Sequence, residues 1–260
     1  PLAGHELLVL TYNGGDRGFA GLRRIADHHQ ADFILLQEAN KAHAHLAARF
    51  PDYELHPVDE FALLSRWRVV DAAALYLDRG DRRLPCAARY LVERDGERLA
   101  LYNVHMPTPR FILRDLLRNP LLLAGGDQRA LRRHADYWRG RRMMLRELRA
   151  RITADPQAVV IAGDFNMPPS GALYQRFAAG LRDAHAAGGL GFGHTFPRDR
   201  DGFGRWLQPW LRLDYVFLAG DGWRIVSCRV VDDGTPRQHL PVVAGIARAS
   251  AAADSLIPAR

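Results

Sequence analysis

The stretch VVIAGDFNMPPS, residues 159 to 170, decides how this chain is read. An apolar run of strand character ends in Asp164 and Asn166, a carboxylate and a carboxamide on either side of Phe165. Along an extended backbone, positions i and i+2 face the same side. Asp164 and Asn166 are therefore expected to look out together while Phe165 turns toward the core. The bland alternative is that this Asp and Asn merely close a turn before MPPS. Working outward from the stretch separates the two.

Similar apolar runs bounded by turn residues recur at 6–12, 32–38, 61–65, 98–105, 213–218, 223–231 and 240–246, and with 158–164 they are expected to form strands. Helical spacing occupies 16–30, 41–49 and 170–179. The clearest helix is expected over about 128–152, with Leu131, Ala135, Trp138, Leu145, Leu148 and Ile152 on one apolar stripe. Strands and helices mixed in this way indicate a layered α/β domain. No repeat or low-complexity linker divides the chain, so 1–260 is read as one domain with an insertion at about 106–128 that leads into the arginine-rich helix.

Several of these runs end in residues able to bind a metal or a phosphate. The first closes on Asn13, the second on Gln37 and Glu38, the run at 98–105 on Asn103 and His105, and the opening stretch on Asp164 and Asn166. Asp214 begins a late strand, and His239 stands just before the last one. One such residue has a dull explanation as a cap or a structural histidine. Repetition at strand ends points to a shared cleft.

These residues carry a resemblance. In order along the chain, LTYN, LLQE, LLSR, YNVH, GDFN, GFGHTF, LDYVF and HLPVV resemble the blocks of the endonuclease/exonuclease/phosphatase (DNase I-like) superfamily, with GDFN the most specific. The resemblance implies a four-layer α/β (α+β) sandwich, two mixed sheets face to face with helices outside. It implies a metal-dependent phosphoric ester hydrolase, a nuclease, phosphatase or phospholipase-like enzyme. Glu38 would be the principal ligand of a divalent ion, Mg2+ with Mn2+ as the alternative, with Asn13 beside it. Asp164 would orient or deprotonate the attacking water, Asn166 would hold the phosphate, and His105 would donate to a phosphate oxygen. Asp214 would orient the imidazole of His239. Asn103 and Arg110 are assigned to substrate.

One position departs from the family pattern. An acidic residue usually precedes the last histidine and contributes to the metal site; here Gln238 stands there. It keeps a carbonyl oxygen for the ion and loses a charge. A catalytically degenerate phosphate-binding module of the same fold is the alternative this raises.

Charge and apolar patterning bear on the substrate. The formal net charge is +7, yet between Arg110 and Arg151 there are 12 arginines against 4 acids, so the remainder is close to neutral. A basic segment near the cleft suits a nucleic-acid backbone. The apolar residues of 106–123 between Arg110, Arg114 and Arg118, together with Trp206 and Trp210, suit a lipid or amphiphilic phosphate and a peripheral membrane contact. Both substrate classes stay open, and no protein partner is indicated. Cys86 and Cys228 stand in no ligand-like spacing and are expected to be buried thiols. No apolar run reaches the length of a membrane-spanning helix. The chain opens at Pro1 rather than Met, which raises the expectation of a removed leader or anchor and leaves the compartment open.

Overall fold

In the computed structural model, residues 6–15, 18–118, 127–197, 208–235 and 237–249 are described. Their elements follow in the order β1 (Leu7–Asn13), α1 (Leu22–His29), β2 (Phe33–Gln37), α2 (His43–Arg49), β3 (Glu54–Val58), β4 (Phe61–Ser65), β5 (Arg68–Asp78), β6 (Arg83–Arg94) and β7 (Glu97–His105). Then come α3 (Arg110–Arg118), α4 (Gln128–Ala154), β8 (Ala158–Asp164), α5 (Ala172–Ala178), β9 (Arg182–Asp183), α6 (Ala184–Gly188), β10 (Asp214–Ala219), β11 (Trp223–Val230) and β12 (Val242–Arg248).

The strands form two six-stranded mixed sheets, ordered β11-β12-β1-β2-β4-β3 and β5-β6-β7-β8-β10-β9. Period-two alternation sorts their side chains into separate cores. Val9, Phe33, Leu63, Leu101, Val160 and Val216 face one another between the sheets. Their strand neighbours Leu10, Ile34 and Leu64 turn to the helices α1 and α2, while Tyr102, Ile161 and Phe217 turn to α4 and α5. The expected four-layer sandwich is the observed fold. Both cysteines are buried free thiols, and burial pushes each up to about 12.

Four strands escaped the sequence reading: β3, β5, β6 and the two-residue β9. β5 is an edge strand, largely exposed, and its Ala72-Ala73-Ala74 run carries no strand propensity. Yet β6 turns into β7 through Asp95-Gly96, both at positive φ (53° and 78°), the tight-hairpin signature that would have revealed the pair. The first helix begins at Leu22 rather than 16 because its N-cap, Gly21, is left-handed at φ 76°. The stripe on α4 also needs correction. Ala130, His134, Tyr137, Arg141, Met144 and Leu148 are buried, whereas Ala135 and Trp138 face outward. The two polar members mislead: His134 lies 3.1 Å from Asp115 of α3, and the two terminal nitrogens of Arg141 donate to backbone carbonyls.

The segment after His105 is not a plain connection. It holds α3, whose Ile112 is buried and whose Phe111 meets the Tyr137 ring edge-on at 5.2 Å, while Leu117 is 86 % exposed. Leu121, Leu122, Leu123 and Trp206 lie outside the described residues, and Trp210 is 58 % exposed.

Candidate active site

The inter-sheet core ends, at one rim of the sandwich, in polar residues. Inward-facing positions along β1 run Val9, Thr11, Asn13; along β8, Val160, Ala162, Asp164; along β10, they begin at Asp214. Register then aligns them. In the ladders of the second sheet Asp164 stands opposite His105 on β7 and opposite Asp214 on β10. Gly163 permits this approach. Its φ is 144°, and a side chain there would collide with the Val104 backbone.

Asp164 and Asn166 do both face the cleft, with Phe165 wholly buried behind them, but an extended chain is not the reason. Asn166 is left-handed, φ 48°, which asparagine tolerates better than most residues. Its N–H donates to Asp164 Oδ1 at 2.8 Å, and its Nδ2 donates to Asp164 Oδ2 at 3.0 Å and to the Met106 carbonyl at 2.9 Å. The same Asp and Asn close the turn and furnish the pocket, so the bland reading and the chemical one describe one device. Asn13 Nδ2 adds a further donor to Asp164 Oδ2 at 3.2 Å.

Two imidazoles flank this carboxylate. His239 Nδ1 lies 2.9 Å from Asp214 Oδ2, and its Nε2 lies 3.7 Å from Asp164 Oδ2. Burial pulls the His239 pKa down, but Asp214 and Asp164 outweigh it and hold the ring up at about 9. Burial likewise raises Asp214, against the stabilising His239. His105 Nδ1 lies 3.0 Å from Glu60 Oε1; a carboxylate only accepts, so Nδ1 carries the hydrogen and Nε2 faces the cleft. There Nε2 is 3.8 Å from Glu38 and 3.9 Å from Asp164. Burial lowers the His105 pKa, and Glu60, Asp164 and Glu38 together raise it above the ordinary histidine value.

Glu38 occupies a left-handed backbone position, φ 59°, just past β2, a conformation that costs roughly 1–2 kcal/mol. Its side chain is 39 % exposed on the cleft wall. The buried group Asp164, Asp214 and His239 also has ligand atoms within 4.8 Å of one another. Asp164 Oδ2 already accepts from Asn13 and Asn166, and Asp214 Oδ2 faces His239 Nδ1, whereas Asp214 Oδ1 has no hydrogen-bond partner among the described residues. Glu38 is the more open hard-oxygen donor; beside it the buried Asn13 Oδ1 accepts from Gly15 N at 3.0 Å and retains a second lone pair.

Three other assigned residues fall differently. Asn103 shares the inward face of β7 with His105 but is entirely buried. It accepts from Gln37 Nε2 at 2.6 Å and donates to the Leu36 carbonyl at 2.9 Å. Asn103 ties the two sheets together beneath the site and does not reach the cleft, which corrects its assignment to substrate. Arg110 lines the cleft, its guanidinium 5.4 Å from the Phe196 ring, which packs at 4.8 Å on His239. Gln238 is half-buried beside the turn after Asn13, where its Oε1 would be 3.3 Å from a Cβ on Gly15.

The cleft holds about 760 Å³. Beyond the residues above, its wall includes Phe111, read from sequence only as part of the apolar 106–123 segment, and Arg79, Arg133 and Tyr137, which the sequence reading did not assign to the site. Glu60 was also missed; it sits in the β3–β4 turn, and only β4 had been recognised. Arg141 gave no signal, because an arginine on a helix is read as solvent-facing. It is wholly buried and donates to the carbonyls of Pro107, Phe165 and Asn166 and to the Tyr137 hydroxyl, clamping the loops on both sides of Asp164.

The chain belongs to the endonuclease/exonuclease/phosphatase family, whose sequence model matches residues 10–250. The fold is shared with solved structures at low identity. TDP2 from D. rerio, complexed with a single-strand DNA product, is 16 % identical at a TM-score of 0.67, covering 93 % of this chain and 99 % of its own. A family member from Bacteroides vulgatus is 14 % identical at 0.67, covering 94 % and 99 %. A mannosyl-6-phosphatase from Bacteroides thetaiotaomicron is 15 % identical at 0.62, covering 92 % and 99 %. No curated protein matches the chain in sequence.

Proposed function

We propose that this protein is a divalent-metal-dependent phosphoric ester hydrolase in which Asp164 positions and deprotonates a water for attack on phosphorus. The observation that carries the reading is the buried relay Asp214–His239–Asp164, with His239 held protonated to about pH 9. A phosphate in the cleft would take the Nε2–H of His239 and that of His105, while Asn166, whose amide hydrogens go to Asp164 and the Met106 carbonyl, would hold Asp164 toward the attacking water. Asp214 keeps the His239 ring in place and offsets its charge. Arg110, on the rim, adds a positive charge on the side of the entering ester.

Glu38 and Asn13 fit a hard cation that retains most of its waters, magnesium with manganese as the substitute, and Gln238 stands next to them with a neutral oxygen. Such an ion, when bound, polarises the phosphoryl oxygens and offsets their charge. Phosphodiesters and phosphomonoesters both suit this set of groups, on a nucleic acid or on a lipid phosphate.

The test is hydrolysis of p-nitrophenyl phosphate, bis(p-nitrophenyl) phosphate, DNA, RNA and phospholipid headgroup esters with magnesium or manganese. Turnover that stops in EDTA is expected. A folded protein that turns over none of them with either ion would instead be a phosphate-binding module of the same fold, the reading that Gln238 favours.

A further inference from the structure

Resting on that reading and going beyond it, we infer that the substrate is a single-stranded polynucleotide whose backbone runs out of the cleft into a groove along α4. A second cavity of about 700 Å³ lies against the first, and the two share Arg79 and Arg133 in their linings. Arg129, Arg132 and Arg139 complete five arginines in this second lining, against Asp81 and Asp136. Asp81 pairs with Arg79 at 3.2 Å, Asp136 with Arg139 at 2.9 Å, and Asp115 of α3 with Arg133. Among the described residues no carboxylate pairs with Arg129 or Arg132, and both are exposed.

The layout fits a linear polyanion. From Arg129 to Arg139 the helix advances about 15 Å, too far for one phosphate and suited to successive phosphates of one strand. Where the cavities join, the half-buried ring of Phe111 stands in the cleft wall, with the Arg133 guanidinium 6.0 Å from its centre. A positive groove that follows the backbone, with an aromatic face on which an unpaired base can stack, is the arrangement by which single strands are held. A small phosphomonoester would leave Arg129 and Arg132 without an anionic partner.

The experiment compares the native protein with Arg129→Ala/Arg132→Ala, whose side chains are exposed and outside the catalytic set. Steady-state hydrolysis of bis(p-nitrophenyl) phosphate is measured beside that of a ten-nucleotide oligothymidylate, and oligothymidylate binding is followed by fluorescence anisotropy in EDTA over a salt series. The variant is expected to cleave the small ester like the native protein and to lose on the order of tenfold in oligothymidylate affinity. Its slope of log affinity against log salt should fall by about 1.4, two contacts at about 0.7 each. Equal oligothymidylate binding by the two proteins overturns the groove. Preference for the duplex form of the same length overturns the single-strand assignment, and so does arginine-dependent binding of phosphatidylglycerol vesicles without oligothymidylate binding. Because the anisotropy arm needs no turnover, a protein that hydrolyses nothing but binds the strand through these arginines refutes the hydrolase and keeps the groove.

Discussion

The acid–imidazole row at the strand ends and the arginine groove along α4 meet at Arg79 and Arg133, yet they are built in opposite ways. Asp164, Asp214 and His239 are only 1–4 % exposed at their side chains, and sheet register places them. The groove arginines are mostly exposed, and all but Arg79 are placed by turns of one helix. Burial fixes the distances within the row, and together with the close carboxylates it shifts the proton affinities of Asp214 and His239, the conditions for chemistry. Exposure leaves the groove ordinary charges in high dielectric, useful for attraction and sensitive to salt. Changes in the row should therefore alter rate, and changes in the groove should alter affinity.

The strongest challenge to this division is Glu38→Gln, which keeps shape and removes the charge that would hold the ion. Metal-dependent turnover should fall by about a thousandfold, the several kcal/mol expected of a catalytic cation, with the thermal midpoint little changed. Retained activity would break the assignment of the cleft.

Asp214→Asn tests the relay. Turnover should drop about a hundredfold, and the His239 pKa should fall from about 9, because Asp214 is the largest influence raising it. NMR titration of the imidazole in EDTA reads this directly. The sign for stability follows. The folded-state pKa of His239 is raised above its ordinary 6.5, so its contribution is complete below pH 6.5 and is lost as pH climbs through about 9. Chemical denaturation at pH 6 and pH 10 should show that loss in the native protein and a smaller one in the variant.

Gly140→Ala acts where the helix meets the rest of the molecule. A Cβ there would come within 2.6 Å of the Arg79 carbonyl oxygen, pushing α4 from the β5–β6 turn. A loss of about 1–3 kcal/mol is expected from such crowding, measured by denaturant titration, with oligonucleotide affinity reduced more than turnover of a small ester. The smallest effect belongs to Gln238→Asp. Added charge at several ångströms in water is worth about 1 kcal/mol, so magnesium should bind about fivefold more tightly by calorimetry. An unchanged titration would place residue 238 beyond the ion's influence.

What the sequence made legible follows from the same division. The strand-end residues could be read because alternation and register depend on local order: Asn13, Asp164 and Asp214 each finish or begin a recognisable run. Depth could not be read. Asn103 and His105 face the same way, but two residues of strand, about 7 Å, put Asn103 under the opposite sheet. Glu60 and Arg141 come to the site through contacts across 45 and about 25 residues that no periodicity encodes. The groove was visible only as a surplus of arginine. Its continuity with the cleft depends on Arg79, at the end of a strand that its alanines concealed.

The Arg141 clamp has a consequence for anyone who would remodel this protein. One guanidinium, lodged without a carboxylate, fastens α4 to the peptides at Pro107, Phe165 and Asn166. A graft that replaces the segment between His105 and Asp127 with a relative's loop must return an oxygen to the place of the Pro107 carbonyl. Otherwise Nη1 of Arg141 will be left with the Tyr137 hydroxyl alone, and the helix will lose its tie to that side of the reaction centre.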